Sequence, residues 1–136
     1  MIFSLLAAAD VLRTIGSVLL ALLILLAMVT VHEFGHYAAG KLLHFKIEEF
    51  SVGFGPKLFS HTKRDGEVFS VRLLPLGGFC AFAGEDAEDT HPDAFPNKAP
   101  WKRVIVLFAG SLIIYLLALL LILSWILLPS RLQPMV

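Results

Sequence analysis

Two long apolar runs flank a middle segment of mixed character. From Ile15 to Val31 there are seventeen consecutive residues without a charge, and the helical pattern carries on through His32 to about Leu43. From Val104 to Leu128 a further twenty-five residues carry no charge. A helix needs about 20 apolar residues to cross the hydrocarbon core of a bilayer. The pattern therefore predicts two transmembrane helices, over about 12–43 and about 102–128. Met1 to Asp10 is apolar but short, closes on an aspartate and lacks the basic start of a secretory signal, so it reads as an interfacial lead-in. Ala38-Ala39-Gly40 has the look of a signal-peptidase site, but the apolar stretch before it is too long for a signal sequence and polar residues interrupt it, so no cleavage is expected.

Between the runs, Glu49 to Ser60 and Gly66 to Leu74 read as strands, the second alternating Val68, Ser70 and Arg72 with Phe69, Val71 and Leu73. Lys63-Arg64-Asp65-Gly66 is a turn signal, because glycine after aspartate accommodates a positive φ. The expected element is a β-hairpin over about 47–79, with bends or close approaches at Gly53, Gly55, Pro56, Pro75, Gly77 and Gly78. An unpaired edge of such a hairpin can receive an extended peptide. The acidic, proline-bearing stretch 85–100 reads as an exposed linker containing a solvent-facing His91. Trp101-Lys102-Arg103 then forms an interfacial anchor, and Trp125 and Pro129 mark the far interface.

Composition adds the environment. The chain has 136 residues, of which 57% are hydrophobic and 16% charged, far from the balance of a soluble domain. The lipid bilayer is thus an expected partner, in the cell (cytoplasmic) membrane. Lys and Arg together equal Asp and Glu at eleven each, with no basic patch of interleaved aromatics, which argues against nucleic acid as a partner. Nine of the eleven basic residues lie between Lys41 and Arg103, leaving Arg13 and Arg131 for the outer flanks. The positive-inside rule places loop 44–100 in the cytoplasm and both termini on the other side. Cys80 is the single cysteine. It has no partner for a disulfide or thiolate metal site, and its apolar and glycine neighbours make it an idle thiol.

The chemistry gathers in Val31-His32-Glu33-Phe34-Gly35-His36-Tyr37. Residues four apart share one helix face, so His32 and His36 can direct imidazole nitrogens at one ion. Glu33 lies one step round the helix, within reach of a water acidified by that ion. The spacing His-Glu-x-x-His therefore supplies two Zn2+ ligands and a general base in five residues. A carboxylate at membrane depth is costly unless it faces a partner or a water-filled cavity, which favours a catalytic zinc over coincidence.

His32-Glu33-Phe34-Gly35-His36 with Gly40, then Gly53-Phe54-Gly55-Pro56-Lys57-Leu58, Leu74-Pro75-Leu76-Gly77-Gly78-Phe79, Asn97-Lys98, Trp101-Lys102-Arg103 and Ala109-Gly110 occur in the order found in one family. The chain resembles the site-2 proteases, intramembrane zinc metalloproteases, in their bacterial regulated-proteolysis branch. The resemblance implies that His32 and His36 bind zinc, that Glu33 is the base, and that the hairpin, with Gly53, Phe54, Gly55, Gly77 and Gly78, helps receive substrate. It implies cleavage of a transmembrane segment of a signalling protein, such as an anti-sigma factor. Family members carry proline and asparagine in the second helix where this chain has Ser111 and Ile114. They draw a third zinc ligand from a Leu-Asp-Gly motif in a later helix, so a C-terminal segment or partner chain is expected to supply it here.

Within the chain, His44 is the first candidate for that ligand. Eight residues past His36, a continuous helix turns it some 80° off the ligand face. His61 reads as exposed, and Glu48, Glu49, Glu85 and Asp86 have no spacing argument behind them. Two other classes stay open: a truncated or inactive family member acting as a membrane interaction module, and a metal-uptake fragment. The latter needs deep polar residues, and the second helix offers only Ser111, Tyr115 and Ser124.

Overall fold

The computed structural model describes residues 2–86 and 88–128. In order, it contains helix α1 (Ile2–Leu42), strands β1 (Ile47–Thr62) and β2 (Val68–Phe82), a short 3-10 turn (Phe95–Asn97) and helix α2 (Pro100–Leu127). Pro129 and Arg131, read above as the far flank, lie outside the described residues.

Helix α1 is continuous from Ile2, so the lead-in expected up to Asp10 is helical and joins the run expected from about residue 12. The leucines and alanines that fill it are strong helix formers. Its hydroxyls bond back to the preceding turn, Thr30 Oγ1 donating to Leu26 O at 2.7 Å. The helix stops at a Schellman cap: Phe45 N donates to Gly40 O at 2.8 Å and His44 N to Lys41 O at 3.2 Å. His44 holds the left-handed position of this cap, with φ of 60°. Helix α2 starts with Pro100, whose missing N–H costs nothing in a first turn. The stretches Ala7–Leu42 and Pro100–Leu127 are long and apolar enough to cross a membrane, at 36 and 28 residues. At 1.5 Å per residue that is about 54 Å and about 42 Å, against a hydrocarbon core of about 30 Å.

The helices meet through small residues. A Cβ added at Gly35 would lie 2.5 Å from Ala109 O and 2.8 Å from the Gly110 Cα, so no larger residue fits this crossing.

Strands β1 and β2 form a two-stranded antiparallel hairpin. Gly66, at φ of 87°, turns the chain between them as its sequence suggested. The hairpin curls on itself. Ser51 faces both Phe79 and Ser70, and Val52 both Gly78 and Val71, so residues 49–52 are flanked by the two halves of β2. Ser51 and Ser70 are accordingly buried. Strand β2 therefore runs on to Phe82, past the strand end expected at Leu74 and the hairpin limit expected at about residue 79. Its glycines make the curl possible: a Cβ at Gly77 would collide with the Phe54 ring, and one at Gly78 would lie 2.6 Å from Ser51 O.

Stretch 85–100 is mostly exposed, His91 included, as expected of it, but it is tied to the core rather than a free linker. Ala94 is fully buried, Phe95 N donates to Ala83 O at 2.8 Å, and Lys46 N to Asp93 O at 2.8 Å. Asn97 Nδ2 donates to Asp89 O at 2.7 Å and His91 O at 2.8 Å, holding the loop in shape. Phe45, Phe82 and Phe95 pack at centroid separations of 5.6–5.7 Å beside Ala39, Ile47 and Val106. This core sits where both helices and the hairpin converge.

The hairpin turn is fastened to α1 by charge. The Glu67 side chain is 2% exposed and pairs with Lys41 and, at 2.6 Å, with Lys63, which also donates to the Tyr37 hydroxyl at 2.9 Å. Burial pushes the Glu67 carboxyl up, but hydrogen bonds from Lys41 and Lys63 outweigh it and hold it below its ordinary 4.5. A depressed carboxylate stabilises the fold above that value, and the contribution is lost as the pH falls through the folded-state value. The thermal midpoint in detergent is expected to drop on acidification below 4.5, and Glu67→Gln to flatten that dependence. The stability at stake is about 1–2 kcal/mol, because both lysines remain two-fifths exposed and re-solvate easily.

Candidate metal centre

His32, Glu33 and His36 occupy one turn of α1, and the helical spacing that suggested the centre brings their ligand atoms within 4.8 Å of one another. The Nε2 atoms of the two histidines are 3.2 Å apart. A tetrahedral zinc ion with bonds of 2.0–2.1 Å spans about 3.3 Å between adjacent ligands, so the pair already has the separation that zinc requires. All three side chains are half-buried, between helix and hairpin rather than in open solvent.

The other ring nitrogen of His36 settles its orientation. Nδ1 lies 2.8 Å from the main-chain oxygen of Val106. A carbonyl only accepts, so Nδ1 carries the proton and the lone pair of the neutral ring sits on Nε2, facing the centre. Val106 is fully buried, which keeps water from competing for this bond. Gly110 stands one turn further along α2, directly against the pair: a Cβ there would come within 2.5 Å of His36 Nε2 and 2.9 Å of His32 Cε1. Helix α2 thus contributes an orienting carbonyl and a bare patch of backbone. Neither function shows in a side-chain pattern.

Glu33 also reaches the hairpin. Its Oε2 accepts a hydrogen bond from the Cys80 main-chain N–H at 3.1 Å, tying β2 to the centre. Here Cys80 contributes its amide. Burial first, then the nearby carboxylates, push its thiol up to about 12, which leaves it protonated and inert.

The other sequence candidates lie elsewhere. Among the described residues, His32, Glu33 and His36 are the one group of three ligand-type side chains close enough together to hold a metal ion. His44 serves as a helix terminator and lines a surface hollow with His91 and Asp93. His61 and Glu48 are exposed on β1, and Asp86 is exposed in the loop. Glu49 is held by Ser70 and Arg72, and Glu85 by the Phe82 N–H. Gly53, Phe54, Gly55, Gly77 and Gly78 gather at the curled end of the hairpin. There the Phe54 ring covers Gly77 and stacks 6.2 Å from Phe79. Gly53 has φ of 85°, and a Cβ on it would lie 2.9 Å from the carbonyl oxygens of both Arg72 and Leu74. Ser111 is exposed and Ile114 half-buried on α2.

Two helices long and apolar enough to cross a membrane, an intervening hairpin and a pair of imidazoles with an adjacent carboxylate make up a candidate metal centre. Peptidase family M50 matches residues 20–131, and the chain belongs to that family. It is 45% identical over 100 residues to the zinc metalloprotease Rip1 of Mycobacterium tuberculosis, a match covering 70% of this chain and 24% of Rip1. It is 39% identical over 102 residues to a Clostridium perfringens protein provisionally named a zinc metalloprotease, covering 75% of this chain and 30% of that protein. A Thermotoga maritima protein with the same provisional name is 36% identical over 113 residues, covering 76% of this chain and 22% of the relative. The chain therefore spans less than a third of the length of these relatives. Zinc is the cofactor their names specify, and the separation of the histidine nitrogens fits it.

Proposed function

We propose that the chain is the zinc-binding front part of an intramembrane endopeptidase that cleaves a transmembrane segment of a signalling protein. The observation that carries this reading is the pair of histidine Nε2 atoms 3.2 Å apart, beside a carboxylate, on a helix apolar enough to cross a membrane. His32 and His36 hold the ion through Nε2, and a third ligand comes from a later segment or a partner chain, as a catalytic zinc site requires. Zinc supplies Lewis acidity for the scissile carbonyl and acidifies water. Glu33 takes the proton from that water and returns it to the leaving amine. Val106 keeps His36 in the required tautomer, and Gly110 leaves space against the ligands.

The hairpin receives the substrate. Phe54, Leu58, Phe59, Leu73, Leu74 and Leu76 are exposed around its curled end, an apolar rim suited to the bilayer interface beside the centre. Residues 78–82 have recorded strand partners on one side only, and an extended peptide pairs with the other. Nine of eleven basic residues lie at 41–103, which supports a cytoplasmic loop 44–100 with both termini outside.

The test uses the full-length protein in liposomes with a single-pass model substrate. The expected result is cleavage within the apolar run, abolished by a zinc chelator and restored by zinc. Intact substrate in the presence of bound zinc would favour the alternative, an inactive interaction module.

A further inference from the structure

The outer edge of β2 carries main-chain donors that the sheet does not use. The strand partners of residues 78–82 all lie in 47–52, so among the described residues no strand pairs with the opposite side, where a turn bond from Glu85 N–H to Phe82 O at 3.3 Å closes the far end. Two alternate N–H groups on this stretch are each taken by a carboxylate: Cys80 N–H donates to Glu33 Oε2 at 3.1 Å, and Phe82 N–H to Glu85 Oε2 at 3.0 Å. Alternate residues point the same way along a strand, so both donors face out of one edge. Glu33 is also the proton acceptor assigned above, its oxygen within 4.8 Å of the histidine nitrogens. One carboxylate serves both the strand edge and the centre.

We propose that the Glu33–Cys80 hydrogen bond is a latch released by substrate: a peptide strand adding to the outer edge of β2 takes the Cys80 N–H with its own carbonyl and frees Glu33 for proton transfer. The inference rests on the strand-edge reading of substrate binding. Carboxylate and peptide compete because a main-chain N–H makes one strong hydrogen bond at a time. A single neutral acceptor competes poorly with a charged oxygen, whereas a strand brings several main-chain bonds together and also displaces Glu85. Release is therefore selective for extended backbone, and it frees the Glu33 oxygen that the hairpin holds.

The single cysteine makes this measurable, because 15N-cysteine labelling of the 136-residue chain yields one amide signal, that of Cys80. In detergent micelles with metal chelated, exchange of this amide with water is expected to be slow in the parent chain. It should be about tenfold or more faster in Glu33→Ala, and nearly unchanged in Glu33→Gln, whose amide oxygen still accepts. Adding acetyl-(Val-Thr)3-amide should restore slow exchange in Glu33→Ala. That peptide should bind Glu33→Ala and Glu85→Ala several-fold more tightly than the parent chain, and its backbone N-methylated counterpart should do neither. Equal exchange in the parent and Glu33→Ala would overturn the latch, as would a peptide that fails to bind or binds all three chains alike. Both readouts are independent of zinc and cleavage, so failure of the latch is distinguishable from failure of the protease reading.

Discussion

Glu33→Gln is expected to leave zinc bound and to remove turnover. Glutamine matches glutamate in shape, and its side-chain oxygen still accepts from the Cys80 N–H that meets Glu33 at 3.1 Å, so the hairpin keeps its place. The imidazole pair is untouched, with Nε2 atoms 3.2 Å apart and His36 still oriented by Val106. What disappears is a group able to accept a proton. Positioned general bases contribute about a hundredfold to ten-thousandfold in rate, and the loss is expected within that range. Metal content and cleavage of a transmembrane substrate should be read on one preparation. Full turnover would remove Glu33 from the mechanism, whereas loss of zinc along with turnover would make it a ligand.

The second large effect is expected at Gly110, on the other helix. Alanine is the better helix former by about 1 kcal/mol, so Gly110→Ala should strengthen α2 if propensity decided the outcome. The new methyl group, however, would come within 2.5 Å of His36 Nε2 and 2.6 Å of His36 Cε1, with His32 Cε1 at 2.9 Å. Both imidazoles have to turn, and the 2.8 Å bond from His36 Nδ1 to Val106 O has to stretch. Disturbing the groups that orient a zinc ligand typically costs ten- to a hundredfold in affinity, and a zinc titration should show a loss of that size while helix content is preserved. Unchanged affinity would mean that the helices separate easily at this crossing.

The centre was legible because its signal is periodic: His32 and His36 are four residues apart on a helix, and no tertiary information is needed to bring them together. The turn at Asp65-Gly66 was legible for a similar local reason. The second half of β2 was not. Pro75, Gly77 and Gly78 carry the marks of a strand end, yet the curled sheet uses the missing side chains to pass the Phe54 ring and the Ser51 carbonyl. The acidic stretch concealed its contacts because they run through main-chain groups and one asparagine, Asn97, set among prolines and charges. His44 looked like a spare ligand but is a helix terminator, a role decided by backbone conformation. The supporting parts of the centre, Val106 O and Cys80 N–H, are backbone atoms and have no side-chain signature.

The double pairing of residues 49–52 also imposes an order of assembly. Thr62 meets Val68 across the turn, Ser51 meets Ser70 over a longer loop, and Phe50 meets Cys80 over the longest of the three. Loop closure costs more entropy as the loop lengthens, so the ladder zips outward from the turn and residues 78–82 dock last. The Cys80 amide reaches Glu33 only with that final step. A nascent or partly unfolded hairpin thus leaves the carboxylate unengaged, and contact between them marks the completion of folding beside the candidate metal centre.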